Sequence, residues 1–302
     1  MQDFFSLILV VKPQYFWSDL LMIKSGKELL LTASQSGLTR TRQSLLATVG
    51  LTFLAGAYIA LGGFFAVRAG LALPWDIWGG MGKLIFAAVF PVGLMLVVIC
   101  GADLFTGNCM TLTLAKHDQK ISLAQSLLSG LYSWLGNFVG AVFVAFFLVY
   151  SSGLIFETTA SGTMPWAEGI VKLANSKTNL TFWEAFFRAV GCNWLVCLAV
   201  YAAYSANTTS GKITALWIPT MAFVAMGFEH CIANMFFIPL GIWTGSAANY
   251  TALVETNQAV ALTATWNSFF LGNLLPVTLG NIVGGALMVA GIYAMIFGKN
   301  RY

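Results

Sequence analysis

Residues 101–108 read Gly-Ala-Asp-Leu-Phe-Thr-Gly-Asn, and residues 227–234 read Gly-Phe-Glu-His-Cys-Ile-Ala-Asn. In each stretch an acid follows the first glycine by two positions and an asparagine follows it by seven. The first stretch interrupts an apolar run over about 82–114, and the second interrupts one over about 213–242. A glycine and a carboxylate inside such runs predict broken membrane-spanning helices, because irregular backbone at that depth is tolerated where it is buried in protein or lines a cavity.

A second pair of motifs indicates an internal repeat. Gly-Asn-Phe-Val-Gly at 136–140 parallels Gly-Asn-Ile-Val-Gly at 280–284. The chain therefore divides into two halves, each with three apolar runs of about 20 residues or more, the length that crosses a bilayer. Because three is an odd number, the second half would enter the membrane inverted, which is typical of transporters and channels. The six predicted spans are 45–67, 82–114, 123–150, 182–204, 213–242 and 267–297.

The composition agrees with an all-α integral membrane protein. Charged residues make up 9% of the 302-residue chain and apolar residues 58%, whereas soluble domains carry about 25% charged residues. The net charge of +4 includes no basic run, which argues against a nucleic-acid partner. One intramembrane histidine and scattered cysteines supply no ligand set for haem or a metal, so we expect no metal, no cofactor and no enzymatic activity.

We divide the chain into an amino-terminal segment, 1–44, a six-span channel domain, 45–298, and a carboxy-terminal tail, 299–302. Within the first segment, residues 14–43 mix charged and apolar side chains, which predicts an amphipathic helix at the membrane surface.

The positions of the basic residues predict the orientation of a multi-pass protein in the cell membrane. With six spans both termini share one side, and cytoplasmic segments carry an excess of lysine and arginine. Both termini are therefore expected in the cytoplasm, and the long segments 151–180 and 245–266 are expected to be loops outside. The terminal side would hold ten of the fifteen basic residues: Lys12, Lys24, Lys27, Arg40, Arg42, Lys116, Lys120, Lys212, Lys299 and Arg301.

The polar residues at the two breaks are the candidates for function. Half-helices that begin inside the membrane present N–H groups and partial positive charge, which favour an anion. His230 directly follows Glu229, and a histidine there can donate a hydrogen bond or a proton to a passing anion. Asn234 lies one helical turn further, and Thr106 offers a hydroxyl in the other half. For Asp103 and Glu229 a second interpretation stays open, in which they only cap the half-helices.

Several long stretches resemble the formate/nitrite transporter family, namely residues 100–108, 227–239 and 273–285, and residues 193–200 look like its fourth span. The resemblance covers about 45–298. It implies a homopentamer whose subunits each have an aquaporin-like fold and their own pore. It also implies passage of small monovalent weak-acid anions such as formate, nitrite, hydrosulfide, acetate or lactate. The paired Asn-Pro-Ala signature of aquaporins is absent from the sequence.

The resemblance implies roles for individual residues as well. It places a pore loop beside a pore histidine, with polar neighbours and an outer vestibule lysine. The residues that correspond to these features are Leu104, Phe105, Thr106, Lys177, Asn193, Glu229, His230 and Asn234. The apolar constrictions correspond to Phe90, Leu94 and Phe223, and the helix breaks to Gly101, Asp103 and Gly227.

Formate is the favoured substrate on the overall likeness of the motifs, and nitrite and hydrosulfide are the alternatives within the same family. A channel for water or glycerol is the alternative from a different class, since it needs no ionisable pore residue. The sequence leaves open whether the anion passes alone or with a proton, and which protonation role His230 has. Residues 1–44 lack a match to the family's proline-containing amino-terminal motif, so the sequence leaves open whether that segment gates the pore.

Overall fold

The computed structural model describes residues 24–298, so the expectations for residues 1–23 and for the tail 299–302 lie outside the described residues. Over the described range the regular elements are helices. Helices α7 and α13 each include π-helical stretches. The helices are α1 (Gly26–Thr41), α2 (Leu45–Gly70), α3 (Trp75–Trp78), α4 (Met81–Val89), α5 (Val92–Ile99), α6 (Phe105–His117), α7 (Leu123–Tyr150), α8 (Pro165–Thr178), α9 (Phe182–Ala203), α10 (Thr209–Ala225), α11 (Cys231–Gly245), α12 (Ala248–Glu255) and α13 (Ser268–Phe297).

Five helical stretches of the described chain are long and apolar enough to cross a membrane: α2, α4 with α5, α7, α9 and α13. A sixth is counted when α11 and α12, which meet at 67°, are taken as one bent span. The second span breaks after α5 and resumes as α6, and the fifth breaks after α10 and resumes as α11. The predicted fold of six spans in two inverted halves, with the second and fifth broken, is confirmed.

The repeated Gly-Asn-x-x-Gly motifs form the closest helix contacts in each half. A methyl group on Gly140 would overlap the backbone carbonyl of Phe53, so α7 meets α2 backbone to backbone. In the second half, a methyl group on Gly280 would overlap the carbonyl of Phe186, which joins α13 to α9 in the same way. Small residues at these crossings allow the close approach on which helix packing in membranes depends.

A short helix precedes the first span of each half. Helix α1 begins with a capping box, in which the Ser25 N–H and hydroxyl donate to Glu28 and hold the pKa of that carboxyl below its usual range. Helix α1 packs against α6, and the Ser34 hydroxyl donates to the Asp118 carboxylate at 2.7 Å. The described part of the predicted amphipathic helix 14–43 therefore lies against the other helices.

Helix α8 precedes the second half and corrects the prediction that 151–180 is a loop. Pro165 stands in its first turn, where a missing N–H costs nothing, and one face of the helix is buried. Helix α12 likewise occupies part of 245–266. With 14 and 8 residues, each of these helices is by itself too short to cross a membrane. The buried face of α8 consists of Ala167, Ile170, Val171 and Ala174.

Candidate functional site

Two glycines make the helix breaks possible. Gly101 and Gly227 have φ angles of +78° and +77°, in the left-handed region that glycine enters without a steric penalty. After each glycine the chain runs on to an extended residue, Leu104 or His230, and the next helix begins at the residue that follows. The first N–H groups of α6 and α11, which have no partner within their own helix, therefore lie inside the protein.

A buried asparagine closes the first break. The side-chain oxygen of Asn137, on α7, accepts a hydrogen bond from the Phe105 N–H at 2.9 Å. Its amide nitrogen donates to the carbonyls of Asp103, at 2.9 Å, and Thr52, at 2.7 Å. One side chain thus satisfies two backbone groups that the interrupted helix leaves without a helical partner, and its bond to Thr52 ties the break to α2.

Asn281, on α13, closes the second break with the same set of bonds. Its oxygen accepts from the Cys231 N–H at 2.9 Å, and its nitrogen donates to the carbonyls of Glu229, at 3.0 Å, and Ala189, at 2.8 Å. Each half therefore repeats its break, its asparagine and its hydrogen-bond pattern, which extends the inverted symmetry from sequence motifs to individual atoms.

The two breaks meet at a single polar contact between the halves. The Thr106 hydroxyl lies 3.0 Å from Nε2 of His230. Both side chains are buried, with 0% and 3% of their surface exposed. The first turn of α6 and the residue that caps α11 are thus joined at the centre of the molecule.

The hydrogen bonds of His230 define which of its nitrogens carries a proton. Its Nδ1 atom accepts from the backbone N–H of Ala233 at 3.1 Å, which makes His230 the amino-terminal cap of α11. A backbone N–H can only donate, so Nδ1 has no proton and the imidazole is neutral with its proton on Nε2. His230 is therefore a hydrogen-bond donor towards Thr106.

Aromatic side chains surround this polar contact. The rings of Phe90 and Phe223 meet edge to face with centroids 6.1 Å apart, and the Phe223 ring stacks on His230 at 6.0 Å. Phe90, Leu94 and Phe223 are all buried. Of the three residues expected at the constrictions, Phe90 and Phe223 are therefore in ring contact, and Phe223 also stacks on His230.

Two cavities approach the centre. The larger, of about 430 Å³, reaches Phe90, Phe223, His230 and Asn234 and carries Lys177 and Glu229 in its wall. We call it the outer cavity, since it lies on the side of α8. The smaller, of about 100 Å³, is lined by Arg40, Leu94, Leu104 and Asn108, among others, and we call it the inner cavity.

Glu229 belongs to a tight network in the wall of the outer cavity. Lys177 donates to both carboxylate oxygens, at 2.9 and 3.0 Å. The Asn234 amide donates to Glu229 at 2.7 Å and to Asn273 at 2.7 Å. The Lys177 ammonium thus neutralises the buried carboxylate. Lys177, which the resemblance matches to an outer vestibule lysine, lies in the wall of the outer cavity.

Asp103 occupies the equivalent place in the first half. Its carboxylate accepts from Asn108 and lies 3.9 Å from Nε of Arg40, near the end of α1. Arg40 also donates to the carbonyls of Gly101 and Ala102, at 3.3 and 3.2 Å. The helix before each half thus supplies a cation to the acid at the break of that half.

Two of the expected pore residues lie elsewhere. Asn193 is fully buried behind the centre, where its amide donates to the Thr106 carbonyl at 3.1 Å and to the Asn281 carbonyl at 2.6 Å. The Phe105 side chain lines a groove between α6, α7 and α13 and neither cavity described above. Asn193 therefore holds the central loop in place from behind.

Sequence reasoning missed three partners of the breaks. Arg40 was one of several basic residues in an amino-terminal segment with no recognised motif. Asn137 and Asn281 stand in the repeated Gly-Asn-x-x-Gly motifs, and the asparagine common to both motifs is the signal that could identify them as the residues that bind the breaks. Their partners lie 32 and 50 residues away in the chain, so no local pattern reveals the bonds.

Inverted halves, paired helix breaks, an outer cavity that reaches the imidazole of His230 and an inner cavity lined by Leu104, next to Thr106, together define a membrane channel or transporter. Comparison with known proteins gives the particular family. The family model described as formate/nitrite transporter matches residues 27–295. The chain belongs to the formate/nitrite transporter family.

Individual relatives agree with this assignment. A probable formate transporter of Methanothermobacter thermautotrophicus is 48% identical over 259 residues, covering 80% of this chain and 86% of the relative. The formate channel FocA of Escherichia coli K12 is 35% identical over 271 residues, covering 88% and 91%. A solved structure described as a pentameric formate channel with formate bound superposes with a TM-score of 0.72 at 32% identity, covering 83% of this chain and 97% of that chain.

Proposed function

We propose that this protein conducts formate, as the anion of a small weak acid, through the path between the outer and inner cavities. The observation that carries the proposal is the buried Thr106–His230 contact at the meeting point of the two breaks. Relatives named as formate transporters or channels support formate as the substrate. Nitrite and hydrosulfide are competing substrates that the experiment below compares directly.

The proposed mechanism begins with the energetic problem of the apolar wall. A bare carboxylate that passes the rings of Phe90 and Phe223 loses its hydration, which costs several kcal/mol or more, whereas neutral formic acid loses far less. An anion that reaches the centre accepts the Nε2–H of His230 and the hydroxyl of Thr106. These donors hold the anion there until a hydronium ion in the cavity water transfers a proton to it and becomes water, and the substrate crosses as the neutral acid.

His230 acts here as a hydrogen-bond donor and not as the source of the proton. Its neutral imidazole has a single N–H proton, and release of that proton would leave an unfavourable anionic ring. A second proton on Nδ1 would break the bond from Ala233 that caps α11. The structure therefore favours hydrogen-bond stabilisation of the anion over proton transfer from His230.

The other site residues take supporting roles in this proposal. Leu104 is the extended residue before α6. Gly101 and Gly227 let the backbone turn at the two breaks, and Asp103 binds Asn108 and Arg40 beside the first break. Lys177, Glu229 and Asn234 form the polar wall of the outer cavity. Asn193 holds the centre from behind, and Phe105, whose N–H donates to Asn137, begins α6.

We also propose the assembly and the orientation. The solved relative described as pentameric supports a homopentamer with one pore in each subunit. Both termini would lie in the cytoplasm, with residues 45–298 as the channel domain and the outer cavity facing the opposite side of the cell membrane. Cysteine labelling from each side at Lys120→Cys and Lys172→Cys would test this orientation.

A flux assay in liposomes tests the mechanism. His230→Asn keeps a residue that caps helices well, but its shorter side chain cannot cap α11 and reach the substrate together. A lost hydrogen bond to a charged group is worth about 1.5–3 kcal/mol, so formate flux should fall roughly tenfold or more. His117→Asn, at the exposed end of α6, is the matched control and should conduct like the unaltered protein.

The pH dependence separates the possible outcomes. Slower flux that is still stimulated by acid supports His230 as a donor of a hydrogen bond. Loss of acid stimulation would identify His230 as the proton source and contradict the proposal, and unchanged flux would remove His230 from the mechanism. Competition by nitrite and hydrosulfide ranks the anions, and glycerol flux that does not depend on pH would indicate a channel for neutral solutes.

A further inference from the structure

The outer cavity carries more positive charge than the Lys177–Glu229 pair explains. Its wall also includes Lys83, near the start of α4, and Arg188, on α9. Neither side chain forms an ion pair within residues 24–298. Three cations therefore face one carboxylate in this cavity, and that carboxylate is already bound to Lys177.

Both additional cations lie next to the second break. The Lys83 ammonium is 3.8 Å from the place where a side chain would start at Gly227, and the Arg188 carbonyl accepts from the Glu229 N–H at 3.3 Å. Lys83 is exposed and Arg188 is half-buried. The nearest acid on α9, Glu184, lies one turn before Arg188, and its carboxylate is engaged by Thr181.

Lys83 is also in line with the constriction. It precedes Phe90 by seven residues, which is two helical turns, so the two share one face of the helix about 10 Å apart along its axis. An anion held near Lys83 is therefore about 10 Å from the ring of Phe90 along the helix axis.

We propose that Lys83 and Arg188 form an anion-capture site at the outer mouth, separate from the central Thr106–His230 site, that concentrates small anions such as formate. Lys177 is bound to Glu229 and contributes little net charge, so the two unpaired cations concentrate the anion. This inference rests on the proposed function, since it assigns the step before the anion reaches His230. Electrostatic focusing of this kind raises association rates by about 10- to 1,000-fold and weakens as salt is added.

Formate influx into liposomes at low and high ionic strength tests the site. At low salt, the double variant Lys83→Gln with Arg188→Gln should raise the apparent KM for formate about tenfold, while the maximal flux changes less than twofold. At about 1 M salt, where the screening length is about 3 Å, the KM values of the variant and the unaltered protein should converge. Lys83→Arg with Arg188→Lys should retain the original KM.

Lys172→Gln is the matched control, because Lys172 is a lysine of α8 that pairs with Glu168 at 2.8 Å and lies outside the cavity wall. Its KM should not change. Equal KM values for the double variant and the unaltered protein would overturn the capture site. If the double variant fails to fold, a formate KM of the unaltered protein that is independent of salt would overturn it equally. An unaltered protein that carries no formate would instead refute the proposed function.

Discussion

Removal of Lys177 should destabilise the protein more than removal of any exposed lysine, because it leaves Glu229 as a charge without its partner. The ammonium contacts both carboxylate oxygens at 2.9 and 3.0 Å, and the two side chains are 12% and 5% exposed. Lys177→Met removes the cation and keeps a similar apolar stem. Glu229 then retains the amides of Asn234 and Asn273, at 2.7 and 3.4 Å, as its remaining donors.

The magnitude follows from the burial of the pair. Removal of one partner from a buried ion pair costs about 3–5 kcal/mol. We take the lower end, about 3 kcal/mol, since the outer cavity lets water reach Glu229. At about 2–4 °C per kcal/mol, the thermal midpoint should fall by about 6 °C or more.

Thermal unfolding in detergent measures this effect. The double variant Lys177→Met with Glu229→Gln should recover most of the loss, because a neutral amide needs no counter-charge. Lys172→Met, which breaks the exposed pair with Glu168, should move the midpoint by no more than about 2 °C. If Lys177→Met and Lys172→Met had the same thermal midpoint, the Lys177–Glu229 pair would contribute no more to stability than an exposed ion pair.

Two further changes probe helix packing and the constriction. Gly140→Ala should lower the free energy of unfolding by about 1–3 kcal/mol, because its methyl group overlaps the Phe53 carbonyl. Gly130→Ala, with nothing within 4 Å of the added methyl group, should be neutral or slightly stabilising. Equal thermal midpoints for the two variants would contradict the close contact. Phe223→Ala should raise acetate flux relative to formate flux about tenfold by opening the ring pair with Phe90. An unchanged flux ratio would mean that these rings do not select by size.

The helix breaks could be predicted from the sequence because their signals are local. Gly101 and Gly227 each combine with an acid and an asparagine within eight residues, and the same pattern occurs twice. The central contact between Thr106 and His230 was expected only through the family resemblance, since these residues are 124 positions apart.

Other features depend on contacts that no short pattern encodes. Arg40 could not be chosen among the basic residues of the first 44, because its partner Asp103 is reached only after α1 packs on α6. The sequence predicts a loop where α8 forms, because the apolar face of this helix is too short to resemble a membrane span. Nothing in the sequence around Lys83 reveals its place in the cavity wall, because that place depends on where Gly227 lies.

The asparagine clamps have a consequence for how the protein is made. Asn137 bonds only to Thr52, Asp103 and Phe105 among the described residues, all of which leave the ribosome before it does. The first half can therefore seal its own break while the second half is still untranslated, in keeping with the amino-terminal-first order of folding during synthesis. Thr106 must wait for His230, so the conducting centre is completed last, when two already closed halves dock.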